Sequence, residues 1–494
     1  MSPFAPLANV AATLAENIVV SLLSNIRYGR LTIHTSSATY DLPPSQIQED
    51  LLEDRTSREL AASIHVRNVN FFLRVLLSGD LGFAESYMFG EVDIDPEDLV
   101  RLFLIVIRNR DAVSSLERSP LTKIFEIPKR VLARVASPLT QLVALTATGI
   151  SNILADAQAN ISAHYDLGND MFQGFLSKDM TYSCAIFSTL DADLNTPSSN
   201  LLLHTPSKDG EEEINTGASS PTVLDSDDED QGKSEDELYD AQMRKLRHIM
   251  HKADIRPGQR VLEIGSGWGS LSLMITQTIP GAVVDTLTLS TQQAEYVRAR
   301  IEELSSVDEH ADCVKDMSLA DRLRVHLMDY RSMPPEWKGA FDRVVSVEMV
   351  EAVGQEYLET YFAAIDWALK KDNGVAVVQG ITIPEARYEE YVKRQDFIQK
   401  WGRLVVDSIS NIGPHYARTL REWRRNFEAG FGRGNIIEEA LKKAYPDIMN
   451  GVEGDAAIEV FKRKWIYYFI YCEAGFTTRI IGGELLNTGA LCLE

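Results

Sequence analysis

VLEIGSGWGSL, from Val261 to Leu271, is the most informative sequence motif in the chain. An apolar run typical of a β-strand leads into three glycines, and apolar residues at helical spacing follow them. Glycine permits positive φ angles and lets the backbone approach a ligand closely, while the N-terminus of the following helix offers N–H groups. The stretch therefore predicts a strand, a ligand-binding glycine turn and a helix.

The three glycines, Gly265, Gly267 and Gly269, do not by themselves identify the ligand, because dinucleotide-binding enzymes use a close relative of this pattern. Glu263, at the end of the predicted strand, favours one ligand over the other. A carboxylate would repel the pyrophosphate of a dinucleotide, whereas it suits the ammonium group of S-adenosylmethionine. We therefore favour a methyltransferase over an NAD enzyme, and place a purely structural glycine turn third.

Strands and helices alternate downstream of the glycine turn. The predicted strands include AVVDTLTL, LRVHLMD, FDRVVSVEMV and GVAVVQGITI, and helical patterns such as TQQAEYVRARIEEL lie between them. This alternation predicts an α/β fold with a doubly wound, mainly parallel sheet, which binds ligands at the carboxyl ends of its strands. The residues at these predicted ends are Glu263, Gly265, Asp285–Ser290, Asp329, Tyr330, Glu348, Glu351, Gln379 and Ile381.

The composition excludes several classes of function. The formal net charge is −23 over 494 residues, which argues against nucleic acid as a partner because phosphate binding needs a basic surface. No apolar run reaches the roughly 18 residues of a membrane span. The cysteines Cys184, Cys313, Cys472 and Cys492 have no paired spacing, so we expect neither a disulfide framework nor a metal site. No basic segment precedes the weakly apolar N-terminus, and we expect a cytoplasmic protein.

The chain divides into four predicted segments. Residues 1–130 combine helical patterns with a predicted hairpin of RLTIHT and ATYDL, which indicates an α+β module. Residues 131–190 hold a linker helix and a segment crowded with aromatic and polar residues, which suggests a lid. Residues 191–240 are rich in Ser, Thr, Pro, Gly and acidic residues, so we expect a disordered acidic insert. Residues 241–494 would form an S-adenosylmethionine-binding methyltransferase domain with additional C-terminal helices.

Several motifs along the chain occur together in one known family. They are NISAHYDLGNDMFQGFL, MTYSCAIF, VLEIGSGWGSL, LTLSTQQ, SVEMVEAVGQEY, QGITIPEARYEEY, NIGPHYARTLREW and WIYYFIYCEAGF. In this order they resemble the cyclopropane-fatty-acyl-phospholipid synthase family, which includes mycolic acid cyclopropane synthase-like methyltransferases. The resemblance covers most of the chain from Arg27 onward, apart from the acidic insert. The motifs EMVEAVG and QGITIP resemble the plant and fungal branch of the family more closely than the bacterial branch.

The resemblance implies a Rossmann-like class I methyltransferase domain that uses S-adenosylmethionine. Such an enzyme methylates the cis double bond of an unsaturated acyl chain in a phospholipid and leaves a carbocation on that chain. A base must then remove a proton from the new methyl group so that the cyclopropane ring closes. In the family this base is a bound bicarbonate ion. The resemblance further implies peripheral action at a membrane surface, with the N-terminal module serving lipid docking or the formation of a homodimer.

Site residues are carried over from the same motifs. The resemblance implies that the bicarbonate pocket is lined by Cys184, Glu351, the backbone at Ile381, Tyr416, and Gln379 in place of a bacterial histidine. Glutamine can donate a hydrogen bond to an anion but cannot carry its proton. The implied cofactor contacts are Tyr165, Tyr182, Ser183, Glu263, Gly265, Gly267, Gly269, Thr288, Leu289, Gln293, Asp329 and Tyr330.

Each of these assignments has a structural alternative. Cys184 taken alone would be a buried small apolar residue, and Tyr416 could simply pack a helix. Glu348 and Glu351, three residues apart, would in most proteins form a solvated pair on one helical face, although both follow an apolar strand.

Three alternative functions stay open. They are a methyl-branching fatty acid methyltransferase, a small-molecule methyltransferase and a catalytically impaired homologue. The last follows from a departure in the sequence: family members carry an IFPGG-type segment before NIGPHYARTL, whereas here DFIQK leads through WGRLVVDSIS directly into that motif.

Overall fold

The computed structural model describes residues 5–44, 60–109, 168–190, 192–194, 236–307, 318–354, 357–383, 404–432 and 436–490. Tyr165, the linker helix, most of the acidic insert and the DFIQK stretch lie outside the described residues. Contacts divide the chain into two units, Met1–Phe175 with Trp423–Ala474, and Leu176–Glu422 with Gly475–Glu494. This grouping places the C-terminal helices of Trp423–Ala474 with the N-terminal residues, whereas the sequence suggested that they belong to the methyltransferase domain.

The elements of the described residues follow the predicted alternation. The strands are β1 (Arg30–His34), β2 (Thr39–Leu42), β3 (Ala61–Val66), β4 (Val92–Asp93), β5 (Arg260–Ile264), β6 (Val283–Thr288), β7 (Leu323–Leu327), β8 (Arg343–Val347), β9 (Val375–Thr382), β10 (Leu404–Asn411) and β11 (Gly482–Ala490). The helices are α1 (Ala5–Leu23), α2 (Asn70–Met88), α3 (Pro96–Arg108), α4 (Asn169–Gln173), α5 (Glu237–Lys252), α6 (Ser270–Thr278), α7 (Thr291–Val307), α8 (Leu319–Arg322), α9 (Leu358–Ala368), α10 (Gly413–Gly432), α11 (Ile436–Ala444), α12 (Pro446–Met449) and α13 (Gly454–Thr477).

The first unit contains a small sheet with the strand order β2-β1-β3-β4. The predicted hairpin is confirmed, because β1 and β2 pair antiparallel. Alternate residues of β1 face the core, with Leu31 and Ile33 buried, as the period of two in a strand requires. Helix α3 begins where Asp95 accepts a hydrogen bond from the Glu97 amide at 3.0 Å and Pro96 occupies the first helical position.

The second unit is built on a seven-stranded sheet with the order β10-β11-β9-β8-β5-β6-β7. Strands β5 to β9 run parallel to their neighbours, and β11 and β10 are added antiparallel at one edge. The predicted doubly wound, mainly parallel sheet is therefore confirmed. The antiparallel pair β10 and β11 was not predicted, because β11 (GGELLNTGA) lacks an alternating apolar pattern.

Apolar clusters cover both faces of this sheet. One cluster joins Val261 and Val345 of the sheet to residues of α5, α6 and α7, such as Leu246, Leu273 and Val297. The other joins the residues of opposite orientation, Leu262 and Val344, to Tyr361, Ile365 and Ala368 of α9. Burying each large side chain of this kind contributes about 1.5–3 kcal/mol, so the two layers fix the positions of the strand ends between them.

The direction of winding reverses between β5 and β8. Strand β6 lies on one side of β5, and β8, which comes later in the chain, lies on the other. Open α/β sheets bind ligands at such a reversal, outside the carboxyl ends of the strands. The site is therefore expected where β5 and β8 end, at Ile264 and Val347. Within the described ranges, no helix combines the length and the hydropathy needed to cross a membrane.

Candidate active site

The glycine turn after β5 has the conformation that its sequence predicts. Gly265, Gly267 and Gly269 have φ angles of 97°, 47° and 84°, all in the left-handed region that favours glycine. A Cβ at Gly269 would lie 2.8 Å from Val297 of α7, whereas a Cβ at Gly267 would meet nothing within 4 Å. Gly269 is thus needed for packing, and Gly267 borders open space. No side chain caps the start of α6 at Gly269, so the turn suits a ligand that accepts hydrogen bonds.

Glu263 lies beneath this turn. Its side chain is 3% exposed, and its Oε2 atom accepts hydrogen bonds from the Ser272 hydroxyl of α6 and, at 2.5 Å, from the Thr286 hydroxyl of β6. Burial raises the pKa of the Glu263 carboxyl to about 7, against the opposing effect of these two hydrogen bonds. The carboxyl thereby joins β5 to its two neighbouring elements. Its contact with the ammonium group of a cofactor stays a prediction.

The next two strand ends carry the other predicted cofactor residues. After β6, the Thr288 hydroxyl donates to Gln293 Oε1 at 2.8 Å, and Leu289 is 74% exposed. After β7, Asp329 accepts from the backbone amide of Arg331 and forms an ion pair with its guanidinium at 2.6 Å. The hydrogen bond from Arg331 is the main reason that the pKa of Asp329 is lowered. Tyr330 packs edge to face on Tyr361, at 5.6 Å between ring centroids.

The described part of the lid segment is held by two buried residues of α5. Lys245 Nζ donates to the Ser183 hydroxyl at 2.7 Å, and Gln242 Nε2 donates to the Ser183 carbonyl at 2.9 Å. Burial lowers the pKa of Lys245, although the nearby carboxyls of Glu348 and Asp179 favour its charged form. Lys245 was not predicted as a site residue. It could have been found from the sequence, because it is a lysine at a position where the helical pattern of α5 calls for an apolar residue. Tyr182 directly precedes Ser183 and is partly buried.

Glu348 is the centre of a second cluster, at the end of β8. Its Oε1 atom accepts hydrogen bonds from the Cys184 backbone amide at 2.9 Å and from Gln379 Nε2 at 2.8 Å. Its Oε2 atom accepts a hydrogen bond from the Tyr416 hydroxyl at 2.6 Å. Three of the five predicted pocket residues therefore meet on one carboxylate. Sequence reasoning noted Glu348 at the strand end but did not include it among the site residues.

The donors around Glu348 come from three separate segments of the chain: Cys184 lies in the lid segment, outside any helix or strand. Gln379 lies in β9, where its carbonyl also accepts a hydrogen bond from the Glu348 amide at 2.9 Å. Tyr416 lies in the first turns of α10 and stacks on Phe476, with ring centroids 4.4 Å apart. Burial raises the pKa of the Glu348 carboxyl, while the hydrogen bonds from Tyr416 and the Cys184 amide oppose this rise. The cluster is therefore a carboxylate that is partly buried and held by tertiary contacts.

Cys184 contributes its backbone amide to the cluster, and its thiol is directed elsewhere. The Sγ atom donates to the carbonyls of Ala185 at 3.3 Å and Ile412 at 3.6 Å, and the side chain is fully buried. Burial raises the pKa of the thiol well above its usual value, so it stays protonated at neutral pH. The Cys184 side chain is accordingly a packed thiol.

The remaining two predicted pocket residues meet each other. The backbone amide of Ile381 donates to Glu351 Oε1 at 2.6 Å. All four hydrogen-bond donors that were expected to bind bicarbonate, on Cys184, Gln379, Ile381 and Tyr416, are thus directed at carboxylates of the chain itself. Because Glu348 and Glu351 already occupy these donors, the residues of the pocket do not fit a bicarbonate ion in addition.

The glycine turn and the Glu348 cluster are close together. A Cβ at Gly265 would lie 3.2 Å from the Met349 side chain, and a Cβ at Gly380 would lie 2.8 Å from Val350. The absence of these two Cβ atoms lets the segment after β8 approach both β5 and β9. A ligand on the glycine turn would consequently lie beside the residues that surround Glu348.

The chain is similar to several known proteins. A family described as mycolic acid cyclopropane synthetase matches residues 154–208 and 231–402. The tuberculostearic acid methyltransferase of Mycobacterium tuberculosis is 30% identical over 432 residues, which span 82% of this chain and 77% of the relative. The cyclopropane-fatty-acyl-phospholipid synthase of Escherichia coli K12 is 27% identical over 425 residues, 85% of this chain and 86% of that protein. Among solved structures, the cyclopropane synthase MmaA2 from Mycobacterium tuberculosis aligns over 66% of this chain and 96% of its own, at 20% identity and a TM-score of 0.45.

Proposed function

Since this chain belongs to the mycolic acid cyclopropane synthetase family, we propose that it is an S-adenosylmethionine-dependent methyltransferase that forms cyclopropane rings on unsaturated phospholipid acyl chains. The observation that carries the proposal is the Glu348 cluster beside the glycine turn. The cluster supports the proposal because its carboxylate would lie beside the predicted cofactor site, where ring closure needs a proton acceptor.

The residues around the glycine turn fit S-adenosylmethionine. The open space at Gly267 and the uncapped start of α6 would receive the methionine portion, and Thr288 and Gln293 would face the ribose. Ser183, fixed by Lys245, would close the lid side of the site. The cofactor supplies an electrophilic methyl carbon on a sulfonium.

The chain must then protect a carbocation on the acyl substrate. Buried Phe476 stacks on Tyr416 beside the Glu348 cluster, and this aromatic packing would limit the access of water to a cation formed there. A base at this position would remove one proton from the transferred methyl group, and the electron pair of that C–H bond would close the ring.

The lipid substrate is proposed from the family and from the chemistry of the cluster. The E. coli relative is named for a phospholipid substrate, and we extend that class of substrate to this chain. Action at a membrane surface, a cytoplasmic location and a homodimer stay predictions of the sequence resemblance.

The test is mass spectrometry of lipids from a bacterial host that makes no cyclopropane lipids of its own and expresses this chain. We expect each modified unsaturated acyl chain to gain one CH₂ unit. A gain of CH₂ plus two hydrogens would instead identify a methyl-branching enzyme. Unchanged lipids, with S-adenosylmethionine bound by the purified protein, would identify a small-molecule methyltransferase or an impaired homologue. Activity that persists on a soluble substrate without lipid vesicles would distinguish these two.

A further inference from the structure

We infer that Glu348 is the catalytic base of this enzyme and takes the place of a bound bicarbonate ion. The inference rests on the proposed function, because it names the group that accepts the proton in that reaction. Its basis is the convergence of three donors from separate segments of the chain on one carboxylate, in the pocket that the resemblance assigns to an external anion.

The carboxylate of Glu348 has the hydrogen-bonding pattern of a bound small anion. Oε1 accepts from the Cys184 amide and from Gln379, and Oε2 accepts from Tyr416, at distances of 2.6–2.9 Å. A carboxylate and a bicarbonate ion both present two oxygens that share one negative charge. The side chain therefore satisfies the same donors without a diffusible ion.

A second anion beside Glu348 would be unfavourable. Two unit charges about 4 Å apart repel each other by about 4 kcal/mol at the effective dielectric constant of a protein. The Ile381 amide cannot offset this repulsion, because it already donates to Glu351 at 2.6 Å. Bicarbonate would thus have to compete with two carboxylates of the chain for the same donors.

The backbone at Glu348 supports a functional placement. Its φ angle is 48°, in the left-handed region that costs a residue with a Cβ about 1–2 kcal/mol. A non-glycine residue retains this conformation when the surrounding contacts hold it there. Here the amide of Glu348 is fixed on the Gln379 carbonyl, and its side chain is fixed by the three donors. These contacts hold the carboxylate inside the cluster in spite of the strain.

The surroundings also suit a change of protonation. The charged and titratable groups that face Glu348 are Tyr416, Cys184, Glu351 and Lys245, and burial raises the pKa of the carboxyl against the effect of the Tyr416 hydrogen bond. A raised pKa makes the carboxylate a better proton acceptor at neutral pH. Gln379 can form a hydrogen bond with Glu348 in either protonation state: its side-chain N–H donates to the carboxylate, and its side-chain oxygen can accept from the carboxylic acid. Within the described residues, that oxygen has no hydrogen-bond partner.

The step is balanced in atoms and electrons. The alkene pair forms a bond to the methyl carbon as the carbon–sulfur bond breaks, which leaves S-adenosylhomocysteine and a carbocation on the acyl chain. Glu348 then takes one proton from the new methyl group, and the freed C–H pair forms the second carbon–carbon bond of the ring. The carboxylic acid returns its proton to solvent before the next turnover.

The experiment measures ring formation by purified full-length protein on vesicles of unsaturated phosphatidylcholine, in buffer depleted of bicarbonate and in buffer with added bicarbonate. Four proteins are compared: wild type, Glu348→Gln, Glu348→Gly and the matched control Glu359→Gln, an exposed carboxyl of α9. Calorimetric binding of S-adenosylmethionine and circular dichroism establish that each variant is folded. Glycine suits the φ angle of residue 348, so Glu348→Gly should fold even if Glu348→Gln does not.

We expect wild-type and Glu359→Gln rates to change less than twofold on removal of bicarbonate, and Glu348→Gln to lose about 100-fold or more of the rate, in the range of general-base catalysis, with cofactor binding retained. Added bicarbonate or formate should raise the Glu348→Gly rate at least tenfold, because either anion can occupy the vacated donors.

Three results would overturn the inference alone. They are a wild type that requires bicarbonate, a folded Glu348→Gln variant that forms the ring within threefold of the wild-type rate, and a Glu348→Gly variant whose low rate does not respond to either anion. A wild type that binds the cofactor yet leaves lipids unchanged would instead refute the proposed function, and the inference with it.

Discussion

Tyr416 is the residue whose hydroxyl makes the shortest hydrogen bond to Glu348, at 2.6 Å. It acts through the carboxylate and is therefore a positioning residue in this account. A hydrogen bond to a charged group contributes about 1.5–3 kcal/mol, and this one lowers the pKa of the Glu348 carboxyl against the larger effect of burial.

Replacement of Tyr416 by phenylalanine should lower the rate at neutral pH by about 10- to 100-fold, the equivalent of that hydrogen bond. Because the hydroxyl favours the ionised form, its loss raises the pKa of Glu348 further, and the active carboxylate then forms only at higher pH. A pH–rate profile should show the acid limb displaced to higher pH, with partial recovery of rate above it. Tyr28→Phe, at an exposed tyrosine, is the control. An unshifted acid limb would contradict the assignment.

Cys184 should tolerate loss of its thiol, because only its backbone amide contacts Glu348. We expect Cys184→Ala to retain the rate within about threefold and to lose about 1 kcal/mol of unfolding free energy, as for a small buried group. Steady-state kinetics and urea denaturation test this. A loss of 100-fold in a stably folded variant would show that the thiol takes part in the reaction.

Glu263 should make stability depend on pH. Its pKa is raised from 4.5 to about 7 in the folded state, so the fold binds this proton more tightly than the unfolded chain does. The associated stabilisation is complete below pH 4.5, the unfolded value, and is lost as the pH rises through about 7. It amounts to about 3 kcal/mol. In urea titrations, Glu263→Gln should gain roughly this much relative to wild type between pH 4.5 and pH 8. Parallel pH profiles for the two proteins would exclude this effect.

Among the elements, the glycine turn after β5 contains glycines with two different roles, although in the sequence they look like equivalent members of one repeated pattern. A Cβ at Gly269 would collide with Val297 of α7, whereas a Cβ at Gly267 would enter open space. One glycine therefore serves the packing of the strand, turn and helix. The other leaves room for a ligand.

Alanine at these two positions should have different effects. Gly269→Ala should cost about 2–4 kcal/mol of unfolding free energy, from the collision and the strained φ angle. Gly267→Ala should cost only the strain of about 1 kcal/mol but should weaken S-adenosylmethionine binding at least tenfold. Gly258→Ala, also at positive φ with open space around it, controls for strain away from the site. Equal cofactor affinity in Gly267→Ala and Gly258→Ala would place the ligand elsewhere.

An element could be predicted from the sequence where its own residues carry the pattern of a helix or a strand. Strands β5 to β9 and their helices were predicted because each carries its own apolar period and turn residues. Strands β10 and β11 were not, since β11 is held by pairing with β9, far away along the chain, and β10 by pairing with β11. The residues of the cluster were predicted from motifs, yet the central role of Glu348 was missed. Its partner Cys184 is 164 residues away, and only the folded sheet brings the two together.

At the scale of the whole molecule, the motifs predicted the family, and the match to relatives along most of the chain confirms it. The formal net charge of −23 then bears on the proposed lipid surface. A strongly acidic protein is repelled by anionic membranes over about a Debye length, and salt screens this repulsion.

We therefore expect the wild type to act about tenfold faster on zwitterionic than on anionic vesicles at low ionic strength. The difference should narrow to about twofold near 1 M salt, where the Debye length is only about 3 Å. Initial rates on vesicles of matched acyl composition measure this effect. Faster action on anionic vesicles at low salt would instead indicate a basic docking surface that outweighs the net charge.

In the proposed reaction, the ring closes when a proton is removed from the methyl group that has been transferred. Purified wild-type protein is incubated with vesicles of unsaturated phospholipid and with S-adenosylmethionine whose transferable methyl group carries three deuterium atoms. Mass spectrometry then measures the masses of the acyl chains. We expect each modified chain to retain two of the three deuterium atoms, because the third leaves with the base. Retention of all three, or no label in the lipid, would contradict the proposed reaction.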